Sequence, residues 1–303
     1  MTPGVARQAG LDRTAAGATD GAAAAAQQET GAKPLAGTFL IDAHVHCHGC
    51  YAQAAFLDAA AAGFTEAAHR LGIAAPATGW LLFAEMQGDR YFDGLRTGRI
   101  EPVGWTLAPT LEDTSLLTRR QDGHTMVLIA GRQLTTEEGL EVLALASNAP
   151  LADGEDLATT VERVRAHGAV AVLPWGFGKW WGRRGRALTR YLETIEHAGV
   201  FLGDNAGRPA RLPPPPQFAK GAGRGLFVLP GSDPLPLSAE VGSVAGYGLV
   251  LEGAVDADRP TAGLLRLLAG LRQQPATFGR RDGIAACLVK QLAMQWQKRG
   301  RAA

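Results

Sequence analysis

Short apolar runs alternate with helix-patterned segments along most of this 303-residue chain, and that alternation limits the folds open to it. The runs are Thr38–His46, Trp80–Phe83, Thr125–Ala130, Leu140–Leu145, Ala169–Leu173, Val200–Gly203, Leu226–Leu229 and Tyr247–Leu251. Helical stripes separate several of them. Phe56, Phe64 and Leu71 share one face ahead of Gly72, and Leu157, Val161 and Val164 share another within Glu155–Ala166, which Gly168 closes. Arg186–His197 stops at Gly199, while Thr261–Arg272 and Ile284–Gln297 end the chain. Strands alternating with helices predict parallel β-α units. With roughly seven such units and no Gly-x-Gly-x-x-Gly after a strand, the pattern predicts an α/β chain. Its expected form is a distorted (β/α)7-type TIM-like barrel with parallel strands, not a dinucleotide-binding sheet.

This reading divides the chain into an Ala/Gly-rich tail over 1–36, a barrel over 37–255 and C-terminal helices over 256–303 packing on the barrel. The tail lacks an apolar pattern and is expected to be disordered. It also lacks the basic start and apolar core of a secretory signal. No apolar run approaches the ~18 residues of a spanning helix. A hydrophobic fraction of 46%, a charged fraction of 19% and a net charge of +1 describe an ordinary soluble composition, with no pull toward nucleic acid or membrane. Three cysteines argue against a disulfide scaffold and for a reducing compartment, so a cytoplasmic location is expected.

In barrels, chemistry sits at the C-terminal ends of strands, which makes the residues ending each run the candidate site. The first run ends with Asp42, His44 and His46 at every second position. Residues i, i+2 and i+4 of a strand share a face, so the three are expected to converge. Imidazole and carboxylate together suit Zn, Mn or Fe. The other runs contribute Glu85, Gln133, Glu141, Trp175, Asp204, Asn205, Ser232 and Asp233.

The order of these features resembles the polymerase-and-histidinol-phosphatase (PHP) superfamily of metal-dependent phosphoesterases, over roughly residues 37–250. Asp42-Ala-His44-Val-His46 is similar to that family's first motif, Leu81 to Met86 to its second, and Pro230-Gly-Ser-Asp233 to its last. The helix Glu155–Gly168 and strand Ala169–Trp175 resemble its helix, Gly, strand, His-Pro unit. Met86, Gln133, Pro174 and Leu235 depart from it, standing where the family places ligands. The resemblance implies hydrolysis of a small phosphorylated, anionic substrate with one or two divalent ions (Zn, Mn or Fe). His44, His46, Glu85, Glu141 and Asp233 remain as metal ligands, with Gln133 as a weak neutral oxygen. Asp233 would act as ligand or general base, and Glu85 or Asp204 as proton shuttle. The four departures equally suit a non-catalytic binding relative. Strand-one His-x-His with a late Asp also fits an amidohydrolase-type C–N hydrolase.

Trp175 to Arg186 is rich in Trp, Gly and basic residues. Lys179, Arg183 and Arg184 suit phosphate binding, and Trp175, Trp180 and Trp181 suit either substrate stacking or packing on the barrel lip. A single-stranded nucleic-acid contact would use the same composition and is the least favoured reading. Arg208 is a candidate anion clamp or a surface residue. Cys47 and Cys50 form a Cys-x-x-Cys without the second pair that a structural zinc site requires. His69, His167 and His197 sit near helix C-termini and are read as structural. The last helix spaces Ile284, Leu288, Leu292 and Trp296 four apart before Lys298, Arg299 and Arg301, a pattern read as covering the barrel.

Overall fold

A computed structural model describes residues 34–73, 77–195 and 198–302, with side chains through residue 296. The elements are β1 (Leu35–Val45), α1 (Gln53–Leu71), β2 (Thr78–Phe83), α2 (Tyr91–Arg96), β3 (Trp105–Pro109), β4 (Ser115–Arg120), β5 (Thr125–Ile129), β6 (Gly131–Thr135) and β7 (Glu141–Leu145). There follow α3 (Leu157–Ala166), β8 (Val170–Pro174), α4 (Gly182–Thr194), β9 (Val200–Asn205), α5 (Pro216–Ala222), β10 (Val228–Gly231), a 3-10 turn over Ser238–Ser243, β11 (Tyr247–Val255), α6 (Pro260–Ala269), β12 (Ala276–Gly279) and α7 (Ile284–Ala302).

The strands form two mixed sheets, ordered β12-β11-β1-β2-β5-β4-β3 and β10-β9-β8-β7-β6. The expected parallel (β/α)7-type barrel is therefore corrected: the fold is α/β, but the strands do not close into one barrel. Among the named strands, β1–β2, β2–β5, β8–β9 and β9–β10 pair parallel. The pairs β3–β4, β4–β5, β6–β7 and β7–β8 are antiparallel. No helix intervenes from β3 to β7, and antiparallel neighbours need none, whereas a parallel pair requires a long crossover. The C-terminal segment supplies more than helices, since β12 pairs antiparallel with β11.

Three apolar cores hold these layers. Between the sheets, Phe39, Ile41, Trp80, Leu82, Val127 and Ile129 pack with Leu143, Val172, Phe201 and Leu229. Outside the larger sheet, Phe56, Leu57 and Phe64 of α1 cover Leu40, Leu81 and Leu128. Outside the smaller one, α3 and α4 bring Val161, Val164, Leu188 and Leu192 onto Val142, Leu173 and Leu202. Burial of that apolar area is the main term holding the layers together.

The sheets are tied at two edges by isolated hydrogen bonds rather than ladders. After β2, the Glu85 N–H donates to the Gly131 carbonyl (3.1 Å) and the Gln133 N–H donates to the Glu85 carbonyl (2.8 Å). After β10, the Asp233 N–H donates to the His44 carbonyl at 2.8 Å. Gly231 makes this second approach feasible, because a Cβ there would fall inside contact distance of the His44 backbone. Most of the expected tail lies outside the described residues, but Leu35 and Ala36 already pair with Val255 and Ala254. His197 and the side chains of Lys298, Arg299 and Arg301 also lie outside them.

Candidate metal centre

The expectation that Asp42, His44 and His46 share a face does not hold. Along β1, Phe39, Ile41 and Ala43 face the inter-sheet core, and Leu40 faces α1. The register with β2 then shifts between Asp42 and Val45, and Val45 joins Leu40's side. Such irregularities re-aim side chains. Asp42 is left behind with Leu40. Its Oδ1 accepts from the N–H groups of Ser232 (2.7 Å) and His44 (3.3 Å), and its Oδ2 from that of Ala245 (3.0 Å). Asp42 is fully buried and ties three strand ends together. Burial pushes its carboxyl up to about 7 despite those donors.

His44 and His46 instead meet Asp233. Their Nε2 atoms stand 3.0 Å apart, and each is 3.6 Å from Asp233 Oδ1. Among the described residues, these three form the one such group whose donor atoms all lie within 4.8 Å of one another. Ligands each about 2.1 Å from a common ion stand about 3 to 3.5 Å apart, so the spacing fits a single divalent cation. Burial lowers His44 to about 4 and His46 to about 3, which keeps both rings neutral and able to donate a lone pair. Desolvation pushes the Asp233 carboxyl up, although its side chain remains 24% exposed. Asp233 has a φ of 46°, in the left-handed region that Asp tolerates better than most residues. Asn205 at the end of β9 holds it, donating from Nδ2 to Asp233 Oδ2 (2.7 Å) and to the Trp175 carbonyl (2.9 Å). His46 Nδ1 is buried without a partner among the described residues, which therefore give this ligand no outer hydrogen bond of the kind that usually orients a metal-binding imidazole.

Around the cluster lies a second ring of polar groups. Gln133 Oε1 is 3.2 Å from His44 Nε2, while its Nε2 donates to Glu141 Oε1 at 3.2 Å. Lys179 Nζ pairs with the same Glu141 oxygen. The charge of Lys179 is felt at both His44 and Asp233. These groups open onto a cavity of about 380 Å³, whose walls include Trp175, Phe177, Met86 and His48. His48 stacks on His46 at 5.3 Å, and its Nε2 bonds the Pro234 carbonyl at 2.8 Å. The far wall comes from α7 through Cys287, Lys290, Gln291 and Met294, a contribution the spacing of that helix does not reveal.

The other candidates are placed elsewhere. Glu85 Oε1 accepts the Phe92 N–H at 2.6 Å, so this carboxylate supports the start of α2 and does not join the histidines. Asp204 is bound through both oxygens by Arg208 (2.6 and 2.7 Å) and also accepts from the Tyr247 hydroxyl (3.1 Å). That buried pair is turned away from the histidines, and neither residue lines the cavity at the cluster. Arg183 and Arg184 border a different cavity, with Glu137 and Glu138. Arg184 donates to the Gly178 and Gly139 carbonyls. Trp175 and Trp180 are buried, and Trp181 is exposed. Asn205, which the sequence offers only as a residue ending the Val200–Gly203 run, is the one that holds Asp233.

Comparison with known proteins adds little. The chain matches no family model, and it matches no curated protein. Among solved structures, the crystal structure of PsfC from Pseudomonas syringae PB-5123 is similar over 77% of this chain and 98% of its own, at 12% identity and a TM-score of 0.44. Among the described residues, no helix is long and apolar enough to cross a membrane.

Proposed function

We propose that this chain is a metal-dependent hydrolase of a small phosphate ester, using one divalent ion held by His44, His46 and Asp233. The observation that carries the reading is the convergence of two neutral buried imidazoles and one carboxylate at a cavity that also presents an ammonium group. The likeness of the Asp42 to His46 segment to the PHP superfamily's first motif agrees with it. When bound, the ion would lower the pKa of a water toward ~7 and polarise the phosphoryl group.

The chain's own residues supply the rest. Lys179 offers N–H donors for an anionic oxygen, and Trp175, Phe177 and Met86 supply apolar surface for the esterified group. Asn205 fixes Asp233 in place. Glu141 is paired with Lys179 and Glu240 with Lys290, whereas Asp233 has no Lys or Arg partner among the described residues.

Elemental analysis of untagged protein tests the reading. About one equivalent of Zn, Mn or Fe is expected, lost in His44→Ala and in Asp233→Ala, together with phosphate-ester turnover that a chelator abolishes. Protein that takes up no metal after reconstitution would overturn the proposal. It would favour a binding relative without catalysis.

A further inference from the structure

We propose that α7 is a pairing surface: its apolar stripe docks against the same stripe of a second copy of this chain. The inference does not depend on the metal-centre reading above.

The stripe expected to cover the barrel is turned outward. Ile284, Leu288, Val289, Leu292 and Trp296 are each between 46% and 76% exposed. At about 100° of rotation per residue, these five side chains fall within one side of the helix. The other side carries Cys287, Lys290, Gln291 and Met294, which line the cavity. Its anchors are polar. Lys290 pairs with Glu240 (2.7 Å) and Asp282 (2.8 Å), and the Cys287 thiol donates to the Gly207 carbonyl at 3.2 Å. No described side chain of α7 belongs to the three apolar cores. A surface helix ordinarily buries its apolar side. Here one chain leaves that side in water.

A second copy fits it by area, charge and spacing. Taking ~200 Å² for a whole large side chain, the exposed fractions leave roughly 600 Å² per copy, or about 1,200 Å² for a symmetric pair, against the ~1,000 Å² that a specific interface needs. Between Ile284 and Gln297 the single charged residue is Lys290, which is turned inward and paired, so two stripes meet without like-charge repulsion. Ala285, Val289, Leu292 and Trp296 recur at steps of four, three and four, the spacing of a helix–helix seam. Two identical stripes related by a two-fold axis satisfy each other and leave none over. The first 33 residues of the chain offer little to cover the stripe, since Met1, Val5 and Leu11 are their large apolar side chains. A helix that lies on a membrane carries a strongly charged polar side, which α7 does not have over this stretch.

Sedimentation velocity of the full-length protein, at micromolar concentration and without detergent, tests this. Wild type is expected at twice the 31.8 kDa chain mass. Leu288→Glu combined with Leu292→Glu should run as a monomer with an unchanged far-ultraviolet circular dichroism spectrum, because both side chains are exposed. Leu288→Asn with Leu292→Asn removes the apolar contact without adding charge, and should raise the dissociation constant at least about a hundredfold. Val103→Glu, at an exposed apolar residue outside α7, should remain a dimer. A monomeric wild type would overturn the proposal, and its co-sedimentation with phosphatidylserine vesicles would assign the stripe to a lipid surface instead. A dimer that survives both double variants would also overturn it, because the copies would then meet elsewhere.

Discussion

Asp42 and His46 sit four residues apart and are both fully or nearly buried, yet burial makes their protons work in opposite directions. Asp42 is raised to about 7 in the folded chain, so its charged form is penalised there. Its contribution to stability declines as pH rises from the unfolded carboxyl range toward 7. His46 is lowered to about 3 from 6.5. The unfolded chain therefore binds that proton first, and the stability His46 contributes is complete above pH 6.5 and is lost as pH falls toward 3. Between pH 4 and 6.5 Asp42 opposes His46 while His44, lowered to about 4, acts with it, so the overall profile isolates none of them. A variant isolates one of them. In chelator-treated protein, the free-energy gap between wild type and His46→Gln should change in the variant's favour by up to about 1.4 kcal/mol per pH unit as pH falls from 6.5 to 4. Urea unfolding at pH 7, 6 and 5 measures this. A gap independent of pH would mean that His46 titrates in the folded chain as a free imidazole does.

At the scale of the elements, the site depends on two local irregularities in otherwise ordinary strands. One is the register shift between Asp42 and Val45, which turns His44 and His46 toward the inter-sheet side. The other is the close passage of β10 over β1 at Gly231. Strict period-2 alternation in the sequence identifies the right histidines but assigns Asp42 to their face. No Gly or Pro lies between Asp42 and Val45 to announce the slip, so it is set by pairing with β2 and not by local preference. Gly231 was legible only as part of the Pro-Gly-Ser-Asp segment that follows the Leu226–Leu229 run, because its purpose is to let another strand approach. Gly231→Ala should therefore act on the site from outside it. The added methyl meets the backbone nitrogen and Cα of His44, which cannot yield as a side-chain tip does. We expect a loss of about 1–3 kcal/mol in stability, the usual range for overpacking. We also expect at least a tenfold loss of metal affinity, as Asp233 is carried away from the imidazoles. Unchanged affinity in a titration would show that β10 can shift without moving Asp233.

For the whole molecule, the α/β class and most of the buried strands were legible, because Trp80–Phe83, Ala169–Leu173 and Val200–Gly203 are apolar runs that can only be interior. The hairpins were not. β3 has alternate residues exposed to solvent, β6 reads Gly-Arg-Gln-Leu-Thr with Gln133 turned to the site, and β12 is four residues long. Without them, a mixed pair of sheets reads as a parallel barrel. The two-sheet architecture has a consequence for the metal. His44 and His46 belong to the end of β1 in the larger sheet, while Asp233 follows β10 in the smaller. A bound ion would link the sheets where only isolated hydrogen bonds now do, and it has no such site in the unfolded chain. Metal at a hundredfold excess over its dissociation constant should then add about 2.7 kcal/mol of stability. In a chain of this size that corresponds to a rise of about 5 to 10 °C in melting temperature. Wild type should lose that increment on addition of EDTA and regain it with added ion. His44→Ala should melt at one temperature under all three conditions, because without this imidazole the remaining pair of donors cannot hold the sheets through a common ion. A wild type that binds metal yet melts identically with and without EDTA would mean that the ion attaches to one sheet alone, and that the convergence of the two strand ends is not what it stabilises.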